Sequence, residues 1–189
     1  MRIILPKTFC EIDPCYGPLF FLAGPIRGGD DWQAECCKEI REYIPNFYAA
    51  VPSHYKEDHP LMPYRIVGDD KYFPRQLNWE RHYLELAANT GCIIFWLPCE
   101  SKINPRGGTE PYAMDTRGEL GEWRARLMFD PKRLGVVVGA EMLFPGRDQI
   151  KRNFDLATKS DFHMWSTLEN TVGAAVHKVR EKEVYVGPF

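Results

Sequence analysis

The chain has 189 residues, of which 44% are hydrophobic and 13% aromatic, enough for one compact domain with a sizeable core. The formal net charge of −2 and the lack of a basic stripe argue against a nucleic-acid polymer as partner. No apolar run approaches the ~18 residues that span a bilayer. We expect no signal peptide, because Pro6 interrupts the short N-terminal apolar segment.

The cysteines favour a reduced, cytoplasmic protein. They lack the paired spacing of a disulfide framework or a zinc site. Cys36-Cys37 could be grouped with His54 and His59, but the spacing matches no zinc pattern. We therefore expect no metal and no cofactor. The six cysteines are Cys10, Cys15, Cys36, Cys37, Cys92 and Cys99.

The first strong element is a strand followed by a helix. Residues 19–23 form a short apolar run that ends at Gly24-Pro25, which predicts a buried strand entering a loop. An amphipathic helix is expected over residues 31–43. Asp30 and Gln33 give it an N-cap signal close to a capping box.

Long loops separate the central elements. Residues 45–74 are rich in Pro, Tyr, His and Asp and predict a surface loop with a short strand at 48–51. A helix is expected over 75–89. The continuous apolar run at 92–97 predicts a parallel strand covered on both faces. A second long loop, 98–115, follows it.

The C-terminal third continues the alternation. A helix is predicted over residues 116–129 and a buried strand over 134–138. Residues 146–156 fit a strand or a short helix equally well. The last helix is expected to begin at Ser166, which forms a capping box with Glu169.

The alternating order predicts the fold. It is typical of an α/β protein: a single-domain, Rossmann-like, doubly wound and mostly parallel sheet flanked by helices, over residues 1–189. Ligands of such sheets bind outside the carboxyl ends of the strands. Gly24-Pro25, the 98–115 loop and Glu119 are expected near that edge.

Three segments carry residues suited to chemistry: F-L-A-G-P-I-R-G-G-D-D-W at 21–32, Q-L-N-W-E at 76–80 and R-G-E-L-G-E-W at 117–123. Together and in this order they resemble the nucleoside 2-deoxyribosyltransferase-like superfamily, over roughly residues 19–140. That group includes the nucleoside 2-deoxyribosyltransferases and related 5′-monophosphate nucleotide N-glycosidases.

The resemblance implies that Glu119 is the nucleophile, since the glutamate of the family's E-L-G motif attacks the anomeric carbon. A carboxylate can trap an oxocarbenium-like centre covalently and pass it on with retention. A helix N-terminus would keep Glu119 ionised at neutral pH. Gly118 and Gly121 would let the sugar approach closely. Alternatively, Thr116 and Glu119 form an S/T-x-x-E capping box.

The resemblance also implies two further acidic residues. Glu80 is the nearest match to a family carboxylate, usually aspartate, that holds the sugar or the base, and Asn78 has similar reach. Asp115 corresponds to an aspartate that contacts the base. A solvent-facing Glu80 and a capping Asp115 are the structural alternatives.

The resemblance implies that the loop after the strand at residues 19–23 contacts the substrate. Gly24-Pro25 lies along the sugar in the transferases, and Arg27-Gly28-Gly29 matches a stretch that faces the phosphate in the monophosphate hydrolases. A Gly-rich turn with a solvated arginine is the alternative. Asp30-Asp31 would compete with phosphate for Arg27. Trp32 either stacks on a base or lies in the core.

These residues are compatible with three functions. The first is exchange of nucleobases on 2-deoxyribose, since Gly24-Pro25 and the tryptophan-rich segments resemble the transferase branch. The second is a hydrolytic N-glycosidase of nucleosides or their 5′-monophosphates, and the third is a non-catalytic nucleotide-binding module. No G-x-G-x-x-G follows the first strand, which disfavours a dehydrogenase. The family implies a homo-oligomer with shared sites, and Asn153 resembles an asparagine donated to the neighbouring subunit's site.

Overall fold

A five-stranded parallel sheet forms the centre of the computed structural model, which describes residues 1–107, 109–130 and 134–185. The strand order is β1-β3-β2-β4-β5, and every neighbouring pair is parallel. The predicted α/β class and doubly wound sheet are confirmed. The strands are β1 (Arg2–Ile4), β2 (Leu19–Ala23), β3 (Tyr48–Ala50), β4 (Cys92–Leu97) and β5 (Val136–Ala140).

Helices cover both faces of the sheet. Side chains of α1 and α5 pack with Phe20 and Leu22 on one face, while α2, α3 and α4 pack with Phe21 and Ala23 on the other. Within the described ranges, no helix is both long and apolar enough to cross a bilayer. The helices are α1 (Trp32–Tyr43), α2 (Gln76–Thr90), α3 (Met114–Phe129), α4 (Arg147–Thr158) and α5 (Leu168–Tyr185), with a 3-10 turn at Met62–Tyr64.

The two central strands match their predicted bounds. Every residue of β2 and of β4 is buried. Both faces of these strands are covered by helices, so their side chains are apolar without alternation. Each fully buried Ile, Leu or Phe contributes about 1.5–3 kcal/mol of transfer free energy. The edge strand β1 was not predicted, because three residues are too few to show a period.

The N-terminus of α1 corrects the predicted cap. Asp31, not Asp30, is the N-cap, and its carboxylate accepts from the backbone N–H of Ala34 at 3.4 Å. Gln33 is buried and forms no capping box. The same Asp31 carboxylate lies 2.6 Å from Nε2 of His59. Asp31 therefore ties the 45–74 loop to α1.

Helix α3 begins at Met114, two residues earlier than predicted. Its N-cap is Ala113, which has left-handed backbone angles, and Thr116 lies buried in the first turn. The predicted capping box of Thr116 and Glu119 is therefore wrong. Glu119 is the sixth residue of the helix, so its side chain is not needed to cap the N-terminus.

The boundaries of the C-terminal helices and of β5 differ by only a few residues from the predicted ones. The undecided segment at 146–156 belongs to helix α4, and β5 begins two residues later than predicted. Helix α5 begins at Leu168, and the Thr167 hydroxyl accepts from the backbone N–H of Asn170 at 3.2 Å. The capping residue is therefore Thr167 rather than Ser166.

The strand order defines a switch point between β2 and β4. From β2 the chain passes to β3 on one side, then crosses back to β4 on the other. Loops that leave the carboxyl ends of two such strands diverge and leave a crevice, where ligands of doubly wound sheets bind. The loops after β2 and β4 meet here, since Ser101 N–H donates to the Gly28 carbonyl at 2.6 Å.

Candidate active site

Glu119 occupies the second turn of α3 on the face that packs against α2. Ion pairs of Glu122 with Arg81 and of Arg126 with Glu85 cross between the two helices on this face. Glu119 is half-buried and, across the described residues, has no hydrogen-bond or ion-pair partner. It is an unpaired carboxylate in a partly desolvated position, where the ionised form destabilises the fold.

Burial is the main cause that raises the pKa of Glu119 to about 7. Repulsion from Glu80, Asp115 and Glu122 raises it further. The expectation of a fully ionised Glu119 at neutral pH is not met. The helix dipole acts mainly within the first turn, and Glu119 lies beyond it. This carboxyl therefore keeps its proton to higher pH than an exposed glutamate does.

Cations compensate the neighbouring Glu122 but not Glu119. Arg126 donates to the Glu122 carboxylate at 2.9 Å, and Arg81 lies 3.8 Å from its other oxygen. Arg126 also pairs with Glu85 on α2. Glu122 is thus part of a network that joins the helices, while Glu119 is left available for a ligand.

Glu80 faces the same space and is held by a hydrogen-bond chain. Its carboxylate accepts from the Gln76 carboxamide at 2.8 Å. The same amide nitrogen donates to the Pro52 carbonyl at 3.2 Å, and its oxygen lies 3.0 Å from Nε2 of His54. Sequence reasoning missed Gln76 and His54. The one available signal was that His54 follows β3 at the carboxyl edge of the sheet.

The structure brings Asp115 and Gly118 near Glu119 but turns Asn78 away, since Asn78 is two residues from Glu80 on α2 and faces another side of the helix. Asn78 and Asp115 are exposed near the N-termini of α2 and α3. Asp115 is not the N-cap of α3, so that alternative is wrong. A methyl group added at Gly118 or Gly121 would meet no atom within 4 Å. These glycines leave open space along α3.

Gly24 and Trp32 form the floor of the loop after β2. A Cβ at Gly24 would lie 2.3 Å from the Trp96 carbonyl oxygen and 2.6 Å from the Trp32 ring. Trp32 is 3% exposed, and its indole N–H donates to the Pro25 carbonyl at 2.9 Å. Pro25 is buried as well. Trp32 therefore packs in the core and holds the loop in place. Of the two predicted roles, the core position is confirmed and stacking on a base is not.

Several carboxylates lie near the Arg27–Gly29 turn. Arg27 is exposed and, within the described ranges, makes no hydrogen bond or ion pair. Gly28 has a positive φ of 77°, and a Cβ there would lie 2.9 Å from Cβ of Arg106. Burial raises the pKa of the nearby Tyr112 hydroxyl, and carboxylates raise it further, namely Glu100, Glu141 and Asp30. These carboxylates oppose a phosphate at this turn, and Arg27 and Arg106 offset part of their charge.

Asn153 lies apart from this cluster. It accepts from the Gln149 carboxamide at 3.1 Å and lines a groove of about 260 Å³ between α3 and α4. Arg117 and Gly121 line that groove from the opposite side of α3 to Glu119. Within one chain, Asn153 is therefore not brought to Glu119.

A larger cavity of about 320 Å³ opens at the carboxyl ends of β1 and β3. Ser53 and His54 line it from the segment after β3, and Leu5 and Pro6 from the segment after β1.

Across the described ranges, no group of three His, Cys, Asp or Glu side chains is arranged to hold a metal ion. Cys36 and Cys37 are buried against the sheet.

Compared with models of protein families and with curated proteins, the chain matches none of them. The site geometry and the motif resemblance are therefore the grounds for assigning a function.

Proposed function

We propose that the protein is a nucleoside 2-deoxyribosyltransferase-like enzyme that exchanges nucleobases on 2-deoxyribose through a glycosyl-Glu119 intermediate. The observation that carries this proposal is the unpaired, half-buried Glu119 beside Glu80, close to the switch point of a doubly wound sheet. Glu119 also belongs to the E-L-G motif that resembles the family's nucleophile motif. Freed from helix capping, its side chain is available to a substrate.

The reaction has two half-steps. A carboxylate oxygen of ionised Glu119 forms a bond to C1′ while the N-glycosidic bond breaks, and the electron pair passes to the base nitrogen, which takes up a proton. A second base then attacks C1′ and loses a proton, and Glu119 departs with its electron pair. Two inversions give net retention, and the proton taken up in the first half-step is returned in the second.

The charges around the first loop favour a free nucleoside over a 5′-monophosphate. Asp30 and Glu100 lie near the turn where a 5′-phosphate would be expected, and Tyr112 is surrounded by carboxylates. These carboxylates would repel the dianionic phosphate of a 5′-monophosphate. Two arginines favour the runner-up, an N-glycosidase of 5′-monophosphates: Arg27 is exposed, and Arg106 lies against Gly28 with its buried Nε unpartnered among the described residues.

An assay with deoxyinosine, with and without free adenine, separates the candidates. Deoxyadenosine formed only when adenine is present supports transfer. Hypoxanthine released without adenine supports the N-glycosidase, and binding without turnover that survives Glu119→Ala supports a non-catalytic module. Glu119→Gln should abolish turnover, whereas Glu169→Gln, an exposed glutamate of α5, should leave it unchanged.

A covalent adduct tests the nucleophile directly. Brief incubation with a 2′-fluoro nucleoside slows the second half-step, since fluorine destabilises the oxocarbenium-like transition state. Mass spectrometry of the peptide that contains Glu119 should show the added glycosyl group. An adduct on any other residue contradicts the assignment.

We also propose a cytoplasmic homo-oligomer with shared sites. Several large apolar side chains are exposed, among them Met142 and Leu143 after β5 and Leu156 on α4, the helix that also carries Asn153. Exposed apolar groups that cluster mark contact surfaces. Light scattering after size exclusion should give a mass above one chain, and Leu143→Glu should lower it.

All six cysteines are unpaired, in keeping with a reducing compartment.

A further inference from the structure

The Gln76 carboxamide joins three segments at the carboxyl edge of the sheet. Its nitrogen donates to Glu80 Oε1 at 2.8 Å and to the Pro52 carbonyl at 3.2 Å. Its oxygen lies 3.0 Å from Nε2 of His54. Three of the four hydrogen bonds that a carboxamide can make are therefore satisfied inside the protein.

These partners determine how the amide is oriented. The Pro52 carbonyl and an ionised Glu80 carboxylate can only accept, so the Gln76 nitrogen must face them. The Gln76 oxygen can only accept, so the His54 ring carries a hydrogen on Nε2. The two acceptors, Pro52 and Glu80, thus enforce one orientation of the amide, and His54 fits it in the tautomer that carries the Nε2 hydrogen.

Glu80 needs such support because its neighbours are anionic. The charges of Glu80 and Glu119 repel each other. Asp115 and Glu122 add further negative charge around Glu119. Arg81 and Arg126 bind Glu122, and among the described residues no ion pair reaches Glu80. Without a donor, an ionised Glu80 would rotate toward solvent and away from Glu119. Gln76 lies one helical turn before it on α2, the spacing at which side chains meet.

We propose that Gln76 is a positioning residue that holds the Glu80 carboxylate toward the substrate and anchors the His54 segment beside it. The role rests on the proposed function. Gln76 does not itself touch the reacting atoms. It acts through Glu80, whose oxygen it fixes, and through the Pro52 carbonyl, which keeps the segment after β3 against α2.

The test compares Gln76→Glu with the wild type in deoxyinosine–adenine exchange. The substitution keeps the shape of the side chain and the acceptor for His54 but replaces the donor to Glu80 by a repelling oxygen. We expect kcat to fall roughly 10- to 100-fold through misplacement of Glu80. KM should change less than about threefold, because substrate binding has other contacts. The acid limb of kcat/KM should move to higher pH, since an added carboxylate disfavours ionisation of Glu119.

Two further variants separate positioning from folding. Asn89→Asp makes the same amide-to-carboxylate change at the far end of α2, where Asn89 is exposed and its amide donates to Glu85 at 3.3 Å, and it should alter neither kcat nor the acid limb. Gln76→Met removes the donor without adding charge, and its crystal structure should show Glu80 turned away from Glu119. An unchanged kcat and acid limb in Gln76→Glu, or an unmoved Glu80 in Gln76→Met, overturns the positioning role. An inactive wild type overturns the proposed function instead, and the Gln76→Met structure still decides whether Gln76 positions Glu80.

Discussion

Glu80 on α2 lies close enough to Glu119 on α3 for its charge to raise the pKa of Glu119. The two carboxylates differ in their surroundings: Glu80 accepts from Gln76 at 2.8 Å, and Glu119 has no partner within the described ranges. Environment thus separates two chemically similar groups, as in enzymes where one carboxyl reacts and the other supports it.

Activity should rise with pH through neutrality. The nucleophile must be ionised, and burial raises the pKa of Glu119 to about 7. Below that value kcat/KM should fall about tenfold per pH unit, and above it the rate should level off. A pH profile of kcat/KM measures this midpoint. A midpoint near 4.5, the ordinary value for glutamate, would contradict the assignment of Glu119 as the ionising group.

Glu119→Gln should stabilise the protein above neutral pH. The folded protein binds the Glu119 proton more tightly than the unfolded chain, whose pKa is near 4.5. The free energy of unfolding therefore falls as pH rises from about 4.5 to 7, and glutamine removes this loss. We expect a gain of about 1–3 kcal/mol at pH 8 and little change at pH 4. Urea unfolding at both values measures it, and an equal gain at pH 4 and pH 8 would exclude the ionisation as its cause.

Glu80→Gln should move the acid limb of kcat/KM to lower pH. The substitution removes one of the charges that oppose ionisation of Glu119. The midpoint should fall by roughly 0.5–1 unit, while the limiting rate drops because the substrate loses a contact. Glu35→Gln removes an exposed carboxylate from α1 on the other face of the sheet, and its profile should match that of the wild type.

Gly118→Ala should stabilise the fold and reduce activity. A Cβ at Gly118 meets no atom within 4 Å, and alanine favours a helix over glycine by about 0.5–1 kcal/mol. The added methyl group would occupy the open space next to Glu119. Gly173→Ala on α5 is the matched control, since a Cβ there also meets nothing within 4 Å. Both should raise the melting temperature, and only Gly118→Ala should lower kcat/KM. Equal activity of the two variants would place the substrate elsewhere.

The sequence by itself predicted the fold class and the two central strands to the residue. The runs at β2 and β4 are continuously apolar because helices cover both of their faces. Helix starts were less well predicted, as the shifts at Asp31, Ala113 and Thr167 show. Several residues near each start can cap a helix, and tertiary contacts decide between them. At α3, for example, Arg117 donates to the carbonyls of Tyr112 and Pro145, which holds the first turn in place.

The sequence also singled out Glu119, Glu80 and Asp115, but only the tertiary structure decided their electrostatics. Glu80 and Glu119 are far apart in the chain, but their charges interact because ion pairs and a shared hydrophobic core join α2 and α3. Burial, and then repulsion from Glu80, raise the pKa of Glu119 where the local sequence had predicted a helix dipole that lowers it. The Gln76–His54 contact likewise depends on β3 ending beside the start of α2. Periodicity and motifs report on neighbours along the chain, whereas charge and desolvation depend on neighbours in space.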